Sequence, residues 1–324
     1  MRVALMAVAC ALVSTAAARA NDSVAVTAAG GLELRQSRDI DMVSEDLYVS
    51  TLEVRVRYVF RNRSRRAVTT IVAFPMPDRD LATEEGEIAW PSEFRTRVAG
   101  RAVAMRVERR ATLAGVDHTA VLTGLGLPIV GRDSDPAMYA ALDALPRAAQ
   151  DRLAALGLAD FAGEPGTSRR NGRALWTVKE TWYWEQSFPA GRNLVVEHRY
   201  RPGAGGTVVT ALAHQGQRAS DDGRAQIALY CIDDRLLGAV DRIAGRAGTQ
   251  YPSISETWLR YVLTTGANWR SPIGDFRLVV DKGRPENLVS FCGQGVRRIG
   301  PTRFEMRRRN WRPTRDLDVL ILHP

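Results

Sequence analysis

From Leu52 to Phe60 every even position is apolar or aromatic, Leu52, Val54, Val56, Tyr58 and Phe60, and Glu53, Arg55 and Arg57 sit between them, with Val59 the one apolar odd position. Side chains of an extended chain point to opposite faces in turn, so this period of two describes a strand with one buried and one wet face. The same period returns at Leu259, Tyr261 and Leu263, and at Phe276, Leu278 and Val280. It is longest where Trp176, Val178, Trp182, Trp184 and Phe188 run into the turn Pro189-Ala190-Gly191-Arg192-Asn193 and return as Leu194, Val196, His198 and Tyr200. One-faced strands joined by turns cover their apolar faces by stacking sheet on sheet. The expected fold is therefore mainly β, with antiparallel β-sandwich-like regions and a short helical insertion. His198 falls on an apolar face, where it reads as a hydrogen-bonded core histidine, with Glu180 and Gln186 as polar partners on that face.

The chain divides into an N-terminal antiparallel β region (21–111), a helical insertion with loops (112–172) and a C-terminal antiparallel β region (173–324); residues 21–324 also read as one continuous unit. In the first region the polar turn Arg61-Asn62-Arg63-Ser64-Arg65-Arg66 joins the strand over 52–60 to a partner over 68–74 as an antiparallel hairpin with one wet face, the second strand stopped by Pro75 and Pro77. Residues 94–98 and 103–107 pair across Ala99-Gly100-Arg101. In the insertion Asp135-Pro136 starts a helix with Met138, Leu142 and Leu145 on one face, Pro146 breaks it, Leu153 and Leu156 continue the apolar face, and Gly157 ends the second helix. In the last region Asp221-Asp222-Gly223 reads as a tight turn leading into a strand over 226–232 that carries Cys231, followed by a helix over about 234–243.

Residues 1–20 have the three parts of a secretory signal: Arg2, an apolar stretch over 3–13, and Ala18-Arg19-Ala20 as a small-x-small cleavage site. No later window approaches the ~18 apolar residues of a spanning helix, so no transmembrane segment is expected after cleavage. The expected location is the periplasm. Cleavage after Ala20 leaves Cys231 and Cys292, an even pair that reads as one disulfide in an oxidising compartment; two separate buried thiols are the alternative.

Of 45 basic residues only Lys179 and Lys282 are lysines, and the net charge is +9. Arginine grips phosphate and carboxylate through parallel donors, so an exposed arginine field fits an anionic polymer; a compositional bias towards arginine gives the same count with no ligand. The arginine turn over 61–66 lacks interleaved aromatics, and no nucleic acid is expected as partner. Asp78, Asp80, Glu84, Glu85 and Glu87 read as a solvated acidic loop, since their spacing does not match a calcium-binding loop. The histidines His118, His198, His214 and His323 are scattered, nucleophile elbows and phosphate loops are missing, and neither a metal nor a cofactor is expected.

Function is therefore sought in loops and aromatic faces. Asn268 and Trp269, between two strands, read either as a ligand-facing platform or as a tryptophan capping the core edge. Trp182, Tyr183 and Trp184 form a second aromatic group. The resulting expectation is a non-enzymatic binding or envelope-assembly role, with an envelope protein or anionic polymer as partner. The rival is a hydrolase of envelope polymer that uses paired carboxylates, with Asp275, Asp281 or Glu180 as candidate acids.

Ser44-Glu45-Asp46-Leu47, the run Val72-Ala73-Phe74-Pro75-Met76-Pro77-Asp78, Trp182-Tyr183-Trp184-Glu185-Gln186-Ser187-Phe188-Pro189, Tyr230-Cys231-Ile232-Asp233 and the block over 263–292 resemble the bacterial exported family known as domain of unknown function 4424. The resemblance covers nearly the whole mature chain and implies an exported, single-unit protein. It carries over no activity and no functional residue. The run from Val56 to Ala111 also resembles the VIT domain, a β-sandwich.

Overall fold

The computed structural model describes residues 21–28, 31–82, 91–130, 136–163, 170–247 and 254–324. The expected signal over 1–20, the helix cap at Asp135, and Glu84, Glu85 and Glu87 of the acidic loop lie outside the described residues.

The largest sheet has eight strands. In spatial order they are Arg297–Arg298, Arg303–Trp311, Ile273–Asp281, Ile40–Val49, Val54–Asn62, Asn193–Arg201, Ser92–Val98 and Arg101–Val103. All pair antiparallel except Ile273–Asp281 with Ile40–Val49, which run parallel. A second sheet is built on Val116–Asp117, Arg106–Leu113, Thr177–Phe188, Val68–Pro75, Ser23–Ala28 and Gly31–Arg35, with Arg79–Asp80 also paired to Thr177–Phe188. A third, of four strands, runs Ala204–Thr207, Ser255–Tyr261, Leu317–His323 and Leu288–Phe291. Strands from both sequence halves lie side by side in the largest sheet, so neither half completes it alone.

The pleat sorts most positions as the sequence foretold, with two corrections: Leu52 is 74% exposed and precedes the strand, and Val54–Asn62 does not pair with Val68–Pro75 as a hairpin, since the turn between them carries the chain from the eight-stranded sheet to the second. Val54, Val56, Tyr58 and Phe60 point into the core, while Arg55, Arg57 and Arg61 point out. Their inward partners come from all three sheets: Phe74, Trp184 and Phe188 from the second, Leu259, Tyr261 and Ile321 from the third. Leu317–His323 is buried along nearly its whole length, because the shared core covers one face and Leu320 and Leu322 pack under helices on the other. The insertion has its own smaller core: Leu122, Met138, Leu142 and Leu153 from three helices close over Trp176 and Val178.

Residues 221–232 correct the expectation of a turn and a strand: Asp221–Tyr230 is a helix. Ser220 caps it by accepting from the Gly223 backbone N–H at 3.1 Å, and Asp221 and Asp222 place negative charge at its N-terminus. Gly223 fits because a Cβ there would collide with the Gln217 carbonyl. Ile227 and Tyr230, three residues apart, then face the third core, so the helical period governs a stretch that also reads as alternating. Cys231 ends the helix in the left-handed conformation, φ 52°. The helix after it, Asp234–Ala247, is longer than expected.

Cys231 and Cys292 form a disulfide across a sequence separation of 61, tying this helix end to the end of the strand Leu288–Phe291. Such a bond is characteristic of chains that fold in an oxidising compartment. Ser290, beside it, donates its hydroxyl to the Tyr230 carbonyl at 2.9 Å. Replacing both cysteines with serine is expected to lower the unfolding free energy by roughly 4 kcal/mol through the freed loop. The urea midpoint under oxidising conditions checks this, and an unchanged midpoint would assign the fastening to the neighbouring hydrogen bonds instead.

Candidate functional site

The outer face of the eight-stranded sheet is paved with arginine because the residues between its core positions are arginine. Cross-strand register sets them in two rows. One row runs Arg97, Glu197, Arg57, Asp46, Arg277 and Arg307, each opposite the next. Its signs mostly alternate: Arg57 lies 3.8 Å from Glu197, and Arg277 donates to Asp46 at 3.0 Å. The other row runs Arg95, Arg199, Arg55, Tyr48, Val279, Glu305 and Arg297. It begins with three like charges in direct opposition, on strands spaced ~4.8 Å apart, an arrangement that works against sheet stability.

Among the described residues one carboxylate, Glu53, pairs with members of that triplet: with Arg55 at 2.9 Å and also with Arg199. The Arg55 guanidinium lies 4.5 Å over the Tyr48 ring, which orients it. Arg95 and Arg97 form no ion pair with any described residue. The rows enclose an open groove of about 600 Å³ lined by seven arginines and only two carboxylates, Asp46 and Glu197. Arg199 keeps 70% of its side chain exposed, so its donors are free to reach a ligand.

Two buried acids anchor the far side. Glu305, 3% exposed, accepts from Arg277 at 2.9 Å, from Arg307 at 3.1 Å and from Arg297. Arg307 first, then Arg297 and Arg277 against the opposing effect of burial, hold its carboxyl down to about 2. Burial works against the charge on Asp281, yet the Arg303 guanidinium at 2.9 Å and the Gly283 N–H keep it below the usual carboxylate range.

The aromatic residues expected to bind ligand are placed differently. Trp269 is fully buried; its indole N–H donates to the Asp22 carbonyl at 2.7 Å and its ring packs 4.4 Å from Phe60. The Asn268 amide donates to Ser23 Oγ at 3.0 Å. Both residues hold the N-terminal segment instead of forming a platform, because the apolar indole gains more from the sheet core than from water. Trp184 is buried beside His198, and Tyr183 is half-buried. Trp182 stacks on Phe94 with centroids 5.0 Å apart, under the strand that carries Arg95 and Arg97.

The candidate acids are not brought together. Glu180 is buried in the second sheet and accepts from Arg109 at 2.7 Å and Trp182 at 2.8 Å. Asp275 and Asp281 lie on one strand, roughly 20 Å apart by strand rise. Asp78 pairs with Lys179 at 2.6 Å, and no three His, Cys, Asp or Glu among the described residues form a metal cluster. No described helix is long and apolar enough to cross a membrane.

Beneath the arginine face lies a buried polar cluster that sequence reasoning missed, apart from His198. The His198 ring sits between Thr96 Oγ1 at 2.8 Å and Asp22 Oδ1 at 3.0 Å. A neutral imidazole satisfies both, accepting the hydroxyl at Nδ1 and donating from Nε2. The Asn21 amide donates to Glu45 Oε2 at 3.0 Å, and Tyr58 and Tyr261 share a hydrogen bond of 2.8 Å. Burial raises the Asp22 carboxyl against the influence of His198, and it pushes Glu45 up to about 8 against the Asn21 hydrogen bond, with Asp22 adding to the rise. The signal for this cluster lay in Glu45, an acid between Met42 and Leu47 on a strand where both of those residues are core.

Glu305 gives the arginine face a pH signature. Its folded value lies below the ordinary 4.5, so its stabilisation is complete above that value and is lost as pH falls towards 2. Glu305→Gln is expected to lower stability at neutral pH and to flatten the loss between pH 4.5 and 2; urea midpoints across that range check it, and an unaltered acid slope would refute the arginine clamp.

Comparison with known proteins follows from this geometry. No curated protein matches the chain. A solved structure described as "a putative nutrient binding protein" from Legionella pneumophila is similar over 89% of this chain and 68% of its own, with 16% identity and a TM-score of 0.45. The M1 zinc metallopeptidase from Deinococcus radiodurans is similar over 88% of this chain and 43% of its own, with 8% identity and a TM-score of 0.21. The chain thus spans less than half of that metallopeptidase. A family model described as Domain of unknown function (DUF4424) matches residues 20–320, and the run likened to VIT falls inside this single match. The arginine face, the disulfide and the three sheets, save the last three residues of the strand Leu317–His323, lie within that match, and the chain belongs to the DUF4424 family.

Proposed function

We propose that this is a periplasmic, non-enzymatic binding protein that holds an extended anionic polymer along the arginine groove. The reading rests on one observation: Arg95, Arg199 and Arg55 stand in register on three adjacent strands, with Glu53 shared by Arg199 and Arg55 and no ion pair from Arg95 to any described residue. Three guanidinium groups at strand spacing repel one another, and a chain of phosphate or carboxylate groups laid across the strands removes that repulsion while filling their donors. The second row offers Arg97, Arg57 and Arg277 parallel to the first, so the ligand has a track and not a point contact. Trp182 and Phe94 act from below by fixing the strand of Arg95 and Arg97. Export follows from the signal read over 1–20 together with the disulfide, and it brings the groove to the compartment where anionic envelope polymers occur.

Fluorescence anisotropy with labelled polyphosphate and labelled polygalacturonate, with neutral dextran as control, tests the proposal and separates phosphate from carboxylate chemistry. One or both polyanions are expected to bind, with affinity falling steeply as salt rises because exposed charges are screened. Arg199→Glu is expected to weaken binding about tenfold or more. Arg284→Glu, on a turn and 80% exposed, serves as the control and is expected to change little. Dextran binding as well as the polyanions, or Arg199→Glu leaving affinity intact, would remove the groove from consideration.

A further inference from the structure

Asn21, Asp22 and Ser23 are fully buried, although they stand at the very start of the described chain. They are gripped on several sides. Thr265 donates its hydroxyl to the Asn21 carbonyl at 2.7 Å, Trp269 donates to the Asp22 carbonyl at 2.7 Å, and Asn268 donates to Ser23. The turn Thr264–Asn268 approaches so closely that a Cβ on Gly266 would lie 2.8 Å from the Asn21 amide nitrogen.

This region is short of donors. Three buried acceptor oxygens around residue 21 have no hydrogen-bond partner: Asn21 Oδ1, Asp22 Oδ2 and Glu45 Oε1. His198 is the titratable base facing Asp22; the Asn21 amide and the Tyr261 hydroxyl face Glu45, and among the described residues no cationic side chain acts on it. An unpartnered buried carboxylate oxygen is costly, and two adjacent carboxylates are more so. A small group that supplies donors and positive charge beside Asn21 would meet this shortage and hold both carboxyls ionised. An α-ammonium has three N–H donors and no acceptor.

We infer that hydrolysis of the Ala20–Asn21 bond creates this missing group: the freed α-ammonium of Asn21 is a structural ligand of Glu45 and Asp22, and processing thereby locks the N-terminal segment into the core. The inference rests on the export reading above. A signal peptidase adds one water across the amide; Ala20 keeps the new carboxylate, and the amine left on Asn21 takes up a proton. Before cleavage the same nitrogen is an amide with a single donor and no charge, so the two carboxylates lack their counter-ion. The arrangement makes the closed core a property of the processed chain.

The test uses the full chain expressed in an exporting host. Intact mass first locates the N-terminus, expected at Asn21; a chain left uncut or cut elsewhere overturns the inference at its export step, without bearing on anion binding by Arg199. The protein starting at Asn21 is then compared with one that carries a single added glycine between Ala20 and Asn21, so that the α-ammonium is displaced by one residue. The extension is expected to lower Tm by roughly 5–10 °C, as removal of one partner from a buried ion pair does. In a Glu45→Gln background the extension is expected to cost much less, because the acceptor charge is already gone. In the native protein an amine-reactive ester is expected to label the α-amine at least tenfold more slowly than in urea. Equal Tm for the two N-termini, an extension effect undiminished in Glu45→Gln, or native labelling as fast as in urea would each overturn the assignment, with cleavage itself intact.

Discussion

The pleat of the eight-stranded sheet is the constraint on which the rest depends. Because neighbours along a strand must face opposite ways, the residues that pack the core and the residues that line the groove are the same strands read at even and odd positions. Val54, Val56 and Tyr58 lock the strand inward, and in doing so they fix where Arg55 and Arg57 stand outside. A one-residue slip would put arginine into the aromatic core around Phe60 and Phe74, which rules out alternative registers. The groove therefore inherits its rigidity from the core beneath it, and the like charges of Arg95, Arg199 and Arg55 are held together by burial on the opposite face.

The same sheet explains why the interior is not wholly apolar. His198 sits among the rings of Tyr58, Phe74, Phe94 and Trp184, and its two nitrogens are spent on Thr96 and Asp22. Asp22 in turn belongs to the segment that Trp269 and the turn Thr264–Asn268 clasp. A chain of hydrogen bonds thus links the first described residues to the centre of the sandwich and to a stretch some 240 residues later in sequence. Buried polar groups of this kind fix one arrangement among many that an apolar core would accept, since each misplacement leaves a donor or acceptor stranded.

Much of the fold was legible from spacing alone. The alternation at residues 52–60 and 176–200, the proline and glycine stops, and the insertion helices with Met138, Leu142 and Leu153 inward are all local signals, and local signals survive into the structure. The helix over 221–230 was misread because ten residues with mixed polarity satisfy either period; its cap at Ser220 and its packing on Leu320 and Leu322 decided the matter. At the site, the arginines were visible as a composition but not as a surface, and Trp269 was visible as an aromatic loop residue for which a ligand platform and a core cap were both open; burial decided for the core.

By itself the sequence determined the secondary structure of most strands, the face each would bury, the pairing of Cys231 with Cys292 as one of two open readings, and the membership of the chain in its family. Only the tertiary structure decided that Arg95, Arg199 and Arg55 stand shoulder to shoulder, that Glu45 meets Asn21, and that Asn268 and Trp269 face inward. The physical reason is register: strands from distant parts of the chain meet with an offset set by the packing of the whole core, and no local pattern encodes which side chains become neighbours across that offset.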